Sequence, residues 1–584
     1  MTDQLADWQI AENAEENMLT VQALAQKLGL KTEEVLPYGH YLGKVDAAKV
    51  LARTANAPQG KYIDVTALTP TPLGEGKSTT TIGLIQGLGQ LQKKVTGAIR
   101  QPSMGPTFNI KGSAAGGGYA QCVPLSEFSL GLTGDIDAIV NAHNLGMVAL
   151  TSRMQHEANY NDAILDKKRL KRLNIDPHQL ATGWVMDFCA QALRHTVMGL
   201  GGKMDGLTHE SHFQIAVSSE LMAILSIARD LKDLRTRIGE VILAYDRQGQ
   251  PVTTADLEVD GAMTALMLRA LNPNLMQTLE GQPVFVHAGP FANIAIGQSS
   301  ILADRLGLKL ADYHVTESGF GADIGFEKFW NLKCRFSELK PDCAVIVATL
   351  RALKSHGGGP AVKPGQSLPA AYTSPAPELV KEGLANLQAH IEIVQRSGVT
   401  PVVCLNHFVT DTPEEVALVK ELAERMNVRF AVSRHWEQGG KGAVELAEAV
   451  IAACESPGNF QFLYPDTLPL PKKIERIAKT VYGATDVQYS EAAAVKLQAF
   501  STHERYKDYA CCMAKTHLSL SDQPALKGRP EGWTLHIRDL LVYQGAGFIV
   551  PVAGDIKLMP GTASDPAYRR IDVDTDTGKV TGLF

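Results

Sequence analysis

Thr71-Pro72-Leu73-Gly74-Glu75-Gly76-Lys77-Ser78 has the spacing of a phosphate-binding loop, with Thr71 where such loops usually begin with glycine. Gly74 and Gly76 would let backbone N–H groups converge on phosphate oxygens, and a following helix would add the positive end of its dipole. Lys77 is spaced to reach the β- and γ-phosphates, and the Ser78 hydroxyl to ligate Mg²⁺. The plainer alternative is a glycine-rich turn with an incidental Lys-Ser. A strand-like run before the loop and a helical pattern after it favour the phosphate reading. The chain has no Asn-Lys-x-Asp guanine signature, so ATP is expected over GTP.

Other residues are candidates by position. Arg100 directly follows the strand-like run VTGAI (95–99). Ligands of open parallel sheets sit beyond the carboxyl ends of strands. A guanidinium there could hold a carboxylate or a phosphate with its planar fork, or be an ordinary surface arginine. His287, after the apolar run at 283–286, reads equally as a packed structural histidine or as a proton acceptor. Asp135, Glu317 and Asp323 could assist a cation or cap a helix or turn. Lys167-Lys168-Arg169-Leu170-Lys171-Arg172 reads as a solvated helix face.

These residues need elements to position them. YIDVTAL (62–68) reads as a strand, TPTPLGEG (69–76) as a loop, KSTTTIGLIQGLGQL (77–91) as a helix and VTGAI as the next strand. That is a βαβ unit with a right-handed crossover. PVFVHAG (283–289), CAVIVATL (343–350), PVVCLN (401–406) and RFAVS (429–433) are apolar without alternation, as strands covered on both faces are. Helical patterns begin at Pro377 and Pro413. The expected fold class is α/β: a P-loop NTPase-like parallel sheet flanked by helices, with additional smaller α/β domains. The expected division is a nucleotide-binding domain over 1–360, a second α/β domain over 361–500 and a small subdomain over 501–584. Residues 357–378 are the best long-loop candidate.

Composition narrows the classes. Of the 584 residues 45% are hydrophobic and 20% charged, which excludes a disordered or fibrous chain. Lys+Arg 56 against Asp+Glu 62 leaves a net charge of −6, which argues against a nucleic-acid partner. No run reaches the 18 or so apolar residues of a membrane span, and the acidic N-terminus has no secretory pattern. Eight scattered cysteines without C-x-x-C exclude a zinc knuckle and fit a cytoplasmic location.

Two further stretches, Ile110–Tyr119 and Val347–Gly358, resemble the signatures of the formate–tetrahydrofolate ligases. The loop TPTPLGEGKSTTTIGL is similar to theirs. So are the stretches beginning at Asn272, Val315, His435 and Cys512. The resemblance runs from about residue 10 to Phe584 and points to the single-function bacterial form, a homotetramer of three-domain subunits. It implies ATP-dependent ligation of formate to tetrahydrofolate through formyl phosphate, giving 10-formyltetrahydrofolate, with Mg²⁺ carried by ATP. It further implies that Lys77, Ser78 and Thr79 hold the phosphates and that Arg100 holds formate and then formyl phosphate. It also implies that Phe408 and Trp436 sandwich the folate ring, while His287, if not structural, could take the proton that N10 loses. For the basic run at 167–172, the functional alternative to a solvated face is attraction of the acidic folate tail. Alternatives are a ligase for another small carboxylate or pterin, and a non-catalytic nucleotide-binding relative.

The chain also departs from that pattern. Asn109 and Ser113 stand where the family usually has glycine, and Gln101 where it commonly has glutamate. The glutamate position is tied to monovalent-cation activation, so weak K⁺ or NH₄⁺ dependence is expected. Gly131, Asp137 and Ile296 stand where the family has histidines.

Overall fold

The computed structural model describes residues 5–583, apart from 111, 113, 293–294, 363–366 and 555. Ser113 therefore lies outside the described residues.

Seven parallel strands form the centre: β1 (Lys61–Ala67), β2 (Val95–Ile99), β3 (Pro283–Val286), β4 (Tyr313–Glu317), β5 (Cys343–Ala348), β6 (Thr400–Asn406) and β7 (Arg429–Ser433). Their order is β3-β2-β4-β1-β5-β6-β7. Every neighbouring pair in that order is parallel. Antiparallel segments at Asn274–Thr278, Leu42–Val45 and Val35–Tyr38 extend the sheet beyond β3. The chain leaves β1 toward β2 on one side and leaves β5 toward β6 on the other. Open parallel sheets bind ligands where connections diverge in this way, here at the carboxyl ends beside β1.

The apolar runs become strands because helices cover both faces. Every residue of β5 is buried, as are six of the seven in β1. Between β1 and β2 lies α1 (Lys77–Gln90), buried continuously from Thr80 to Leu88. Glycine within a helix costs about 1 kcal/mol against alanine. At Gly83 the return is close approach, since a Cβ there would lie 2.5 Å from the Cβ of His435. On the other face lie α2 (Pro377–Arg396) and α3 (Pro413–Arg425), which follow β5 and β6, whereas α4 (Val444–Cys454), after β7, packs beside α1. The C-terminal residues add a four-stranded sheet that includes Thr534–Tyr543 and Phe548–Ala553.

The boundaries of β2 and β7 fall where the apolar runs place them. One expectation is corrected: the basic run is not a helix face. The helix Asp162–Lys167 ends at its first residue, and Arg169 takes φ 59°. Arg172 turns back to bind Asp162 and the carbonyls of Glu157 and Tyr160. Among the described residues no helix is long and apolar enough to cross a membrane.

Candidate active site

The loop between β1 and α1 has an open crest and a fixed base. Pro72 and Gly74 are exposed, whereas Thr71 and Glu75 are buried. Glu75 accepts hydrogen bonds from the Thr71 N–H at 2.7 Å and the Thr71 hydroxyl at 2.9 Å. Burial pushes its carboxyl up to about 7, against the opposing pull of the Thr71 donors and Lys77. Gly76 has φ +69°, and a Cβ there would meet the Asn406 side-chain nitrogen at 2.4 Å. Glycine alone satisfies both constraints. The same Asn406 nitrogen donates to the Glu75 carbonyl at 3.0 Å, tying the end of β6 to the loop.

Lys77 and Ser78 converge on one acceptor. Lys77 Nζ and Ser78 Oγ each lie 2.8 Å from Glu317 Oε2, at the end of β4. Burial alone would raise the Glu317 carboxyl, but the Lys77 and Arg100 cations outweigh it and hold the group below its usual range. Arg100, just past β2, is half-buried. Its Nη1 donates to the Pro290 carbonyl at 3.3 Å, and its Nε has no hydrogen-bond partner among the described residues. Two cations therefore face one carboxylate at the carboxyl ends of β2 and β4, with Arg100 donor capacity left over. A carboxylate or phosphoryl group is the complementary ligand. Ser78 and Glu317 also form a pair of hard oxygen donors, which fits Mg²⁺ delivered by a nucleotide.

The two candidate aromatics lie just past β6 and β7, next to Asn406 and His435, which reach the loop and α1. Phe408 lies two residues beyond Asn406, with the Arg351 guanidinium 4.1 Å from its ring centroid. Trp436 follows His435, whose Nε2 lies 3.3 Å from Thr80 Oγ1 of α1. The Trp436 carbonyl accepts the Tyr119 N–H at 2.9 Å. One face of its indole lies against Gly118, where a Cβ would be 2.9 Å from both Cδ1 and Cδ2. Thr79 is nearby, since a Cβ on Gly117 would lie 3.5 Å from Trp436 Nε1 and 3.6 Å from Thr79 Oγ1.

Two candidates are committed elsewhere. His287 is fully buried, with Nδ1 2.6 Å from Ser300 Oγ and Nε2 2.6 Å from the Ala270 carbonyl. Burial pushes its imidazole down to about 4. With both nitrogens engaged it holds the fold together, and the proton-acceptor expectation is corrected. Asp135 is paired with the buried Lys44 at 2.7 Å and accepts from Asn274 at 2.7 Å. Its oxygens are thus spent on internal donors rather than left for a metal. Asp323 likewise pairs with buried Lys515 at 2.9 Å.

The departures have structural counterparts. Asn109 bonds to the Gly561 carbonyl at 3.0 Å and the Ala563 N–H at 2.9 Å, anchoring the C-terminal segment, and it does not adopt positive φ. Gln101 is 3% exposed and reaches the Gly131 carbonyl at 3.4 Å. Gly131 has φ +97°, Ile296 lies in the apolar core and Asp137 is exposed.

Some contributors are invisible to residue spacing. Asn406 lies two residues before Phe408 and carries no spacing signal of its own. Thr69, ahead of the loop, is held by Asn386, His390 and the His356 ring, which donates to its carbonyl at 2.8 Å. A polar side chain within an otherwise apolar helix face, as Asn386 is, was the available signal.

A family model described as formate–tetrahydrofolate ligase matches residues 5–584. A formate–tetrahydrofolate ligase of Dehalococcoides mccartyi (strain CBDB1) is 65% identical over 580 residues, covering 99% of this chain and 97% of that one. The enzyme of the same name from Desulforapulum autotrophicum is 63% identical over 583 residues, covering 99% of both chains. That from Thermodesulfovibrio yellowstonii is 61% identical over 580 residues, covering 99% and 98%.

Proposed function

The chain belongs to the formate–tetrahydrofolate ligase family, and from that premise we propose that it joins formate to tetrahydrofolate at the expense of ATP. The products are 10-formyltetrahydrofolate, ADP and phosphate. Formate is a poor acyl donor because oxide is a poor leaving group, and transfer of the γ-phosphoryl group to it gives formyl phosphate. N10 of tetrahydrofolate then attacks the formyl carbon and phosphate departs. Both steps develop charge on phosphoryl oxygens, so positioned cations and N–H groups are the chief tools.

The carrying observation is the convergence of Lys77 and Arg100 on Glu317 at the carboxyl ends of β2 and β4. In this reading the loop 71–79 cradles the nucleotide phosphates, with Lys77 neutralising them. Arg100 holds formate with the donors left over from Pro290, and keeps hold of it as formyl phosphate. Phe408 and Trp436 each have one face covered, by Arg351 and Gly118 respectively. Their other faces are assigned to the pterin ring, and such stacking contributes about 0.5–1.5 kcal/mol per ring. Mg²⁺, when bound with ATP, would neutralise phosphate charge, and Ser78 would be its protein hydroxyl ligand. A cytoplasmic homotetramer completes the proposal.

The test is ADP release by the purified protein. It should require formate and tetrahydrofolate together. Equal release with acetate in place of formate, or release independent of tetrahydrofolate, would overturn the assignment.

A further inference from the structure

Glu317 carries an unused oxygen. The residue is fully buried, and Oε2 takes both Lys77 and Ser78 at 2.8 Å. Oε1 has no hydrogen-bond partner among the described residues. A buried carboxylate oxygen ordinarily finds a donor, so an unmatched one at the carboxyl ends of these strands marks a group that arrives later. The neighbouring donors do not supply it: among the described residues Arg100 donates through Nη1 to Pro290 and its Nε bonds nothing, and the Ser318 hydroxyl faces Asp64 at 2.7 Å.

Lys77 has two calls on its charge. It pairs with Glu317 here, but a triphosphate seated in the loop needs the same ammonium. Once Lys77 turns to phosphate, Glu317 would be left ionised, buried and poorly paired, unless another cation replaces the ammonium. The ion that travels with a nucleoside triphosphate is divalent. Mg²⁺ is bound through one or two protein oxygens plus phosphates and waters, and Ser78 Oγ already shares Oε2.

We propose that Glu317 is the carboxylate that receives the nucleotide's Mg²⁺, releasing Lys77 to the phosphates as the metal arrives. This rests on reading loop 71–79 as an ATP site. Glu317 thus has two partners in turn: Lys77 before the nucleotide enters, and the metal afterwards. Its contribution is to make occupation of the loop depend on the metal.

The test is equilibrium ATP binding, without formate or folate, in Mg²⁺ and in excess chelator. The wild type should bind ATP at least about tenfold more tightly with Mg²⁺. In Glu317→Gln the gain from Mg²⁺ should disappear, while affinity for metal-free ATP should rise, because Lys77 is no longer neutralised. Full retention of the Mg²⁺ gain overturns the proposal. An equal fall in affinity with and without Mg²⁺ also overturns it, because it would make Glu317 only a prop for Lys77. Glu317→Asp, which keeps the charge but shortens the reach, supplies the decision if the glutamine variant misfolds. It should raise the Mg²⁺ concentration needed for half-maximal tightening by about tenfold. An unchanged Mg²⁺ requirement in that variant refutes the role. Absence of ATP binding by the wild type would instead overturn the loop assignment, and the inference with it.

Discussion

Asn386 grips Thr69 twice, accepting its N–H at 3.2 Å and donating to its hydroxyl at 2.9 Å, across 317 positions of sequence. It also donates to the Gly528 carbonyl at 2.8 Å, so the C-terminal region reaches the entrance of the phosphate loop. The loop itself is rich in glycine and has little intrinsic stiffness. Fixing the residue two positions ahead of it supplies the rigidity.

Asn386→Ala should therefore act on the nucleotide at a distance. Leaving buried donors and acceptors unmatched costs about 1–3 kcal/mol per group, so the melting temperature should fall. The KM for ATP should rise while the KM for formate stays near wild type. A variant with lower stability and unchanged ATP KM would show that the grip serves folding alone.

The sequence makes the parallel strands legible because burial on both faces demands unbroken apolar runs. The loop between β1 and α1 is legible as a candidate because its glycines and Lys-Ser are contiguous. Contacts spanning hundreds of positions are not. Glu317 reaches Lys77 across 240 residues, and nothing near either residue encodes that distance. His287 misleads for the converse reason: its position after a strand is visible, but the capture of both its nitrogens by Ser300 and Ala270 is a tertiary fact. Asp135 misleads likewise, since its partner Lys44 lies on a separate edge segment.

Lys77→Ala should abolish ligation and also destabilise the protein. Removing the ammonium leaves buried Glu317 without its closest cation, which costs up to about 3–5 kcal/mol. The pair Lys77→Ala with Glu317→Gln should recover most of the lost melting temperature and none of the turnover. Retention of more than about a tenth of the wild-type rate in the single variant would remove Lys77 from the phosphate role.

Glu75 makes stability depend on pH. Its carboxyl is raised to about 7 in the folded chain, chiefly by burial. A raised carboxylate favours folding most below its unfolded value of 4.5, and that contribution is lost as pH rises through about 7. The loss is on the order of 3 kcal/mol at pH 8. Glu75→Gln keeps an acceptor for Thr71 without the charge. Its melting temperature relative to wild type should rise between pH 5 and pH 8. A constant difference across that range would show that Glu75 does not titrate there.

Gln101 bears on monovalent cations. Its side-chain oxygen is buried without a hydrogen-bond partner among the described residues, while its amide nitrogen reaches Gly131. A neutral amide oxygen attracts K⁺ far less than a carboxylate at the same place. Stimulation by K⁺ or NH₄⁺ should be weak, and Gln101→Glu should partly restore it. Strong, saturable activation of the unmodified chain would contradict this.

Arg100 offers the sharpest division between nucleotide and formate. Formate must be held while its oxygen attacks the γ-phosphorus, and the product must stay until N10 attacks. On the proposed role one guanidinium can serve both steps, because its planar fork fits carboxylate and phosphate alike. Among the described residues Arg100 binds the protein through Nη1, at Pro290, and its Nε has no hydrogen-bond partner. Arg100→Lys preserves the charge and discards the fork. Loss of one charge-assisted hydrogen bond costs about 1.5–3 kcal/mol, or roughly ten- to a hundredfold in rate or apparent affinity. The formate KM should rise and turnover should fall by that order, while direct ATP binding, set by the loop and Lys77, changes little. Steady-state kinetics in formate beside ATP titrations separate the cases. A collapse of ATP affinity with a normal formate response would move Arg100 into the nucleotide site and leave formate without its assigned cation.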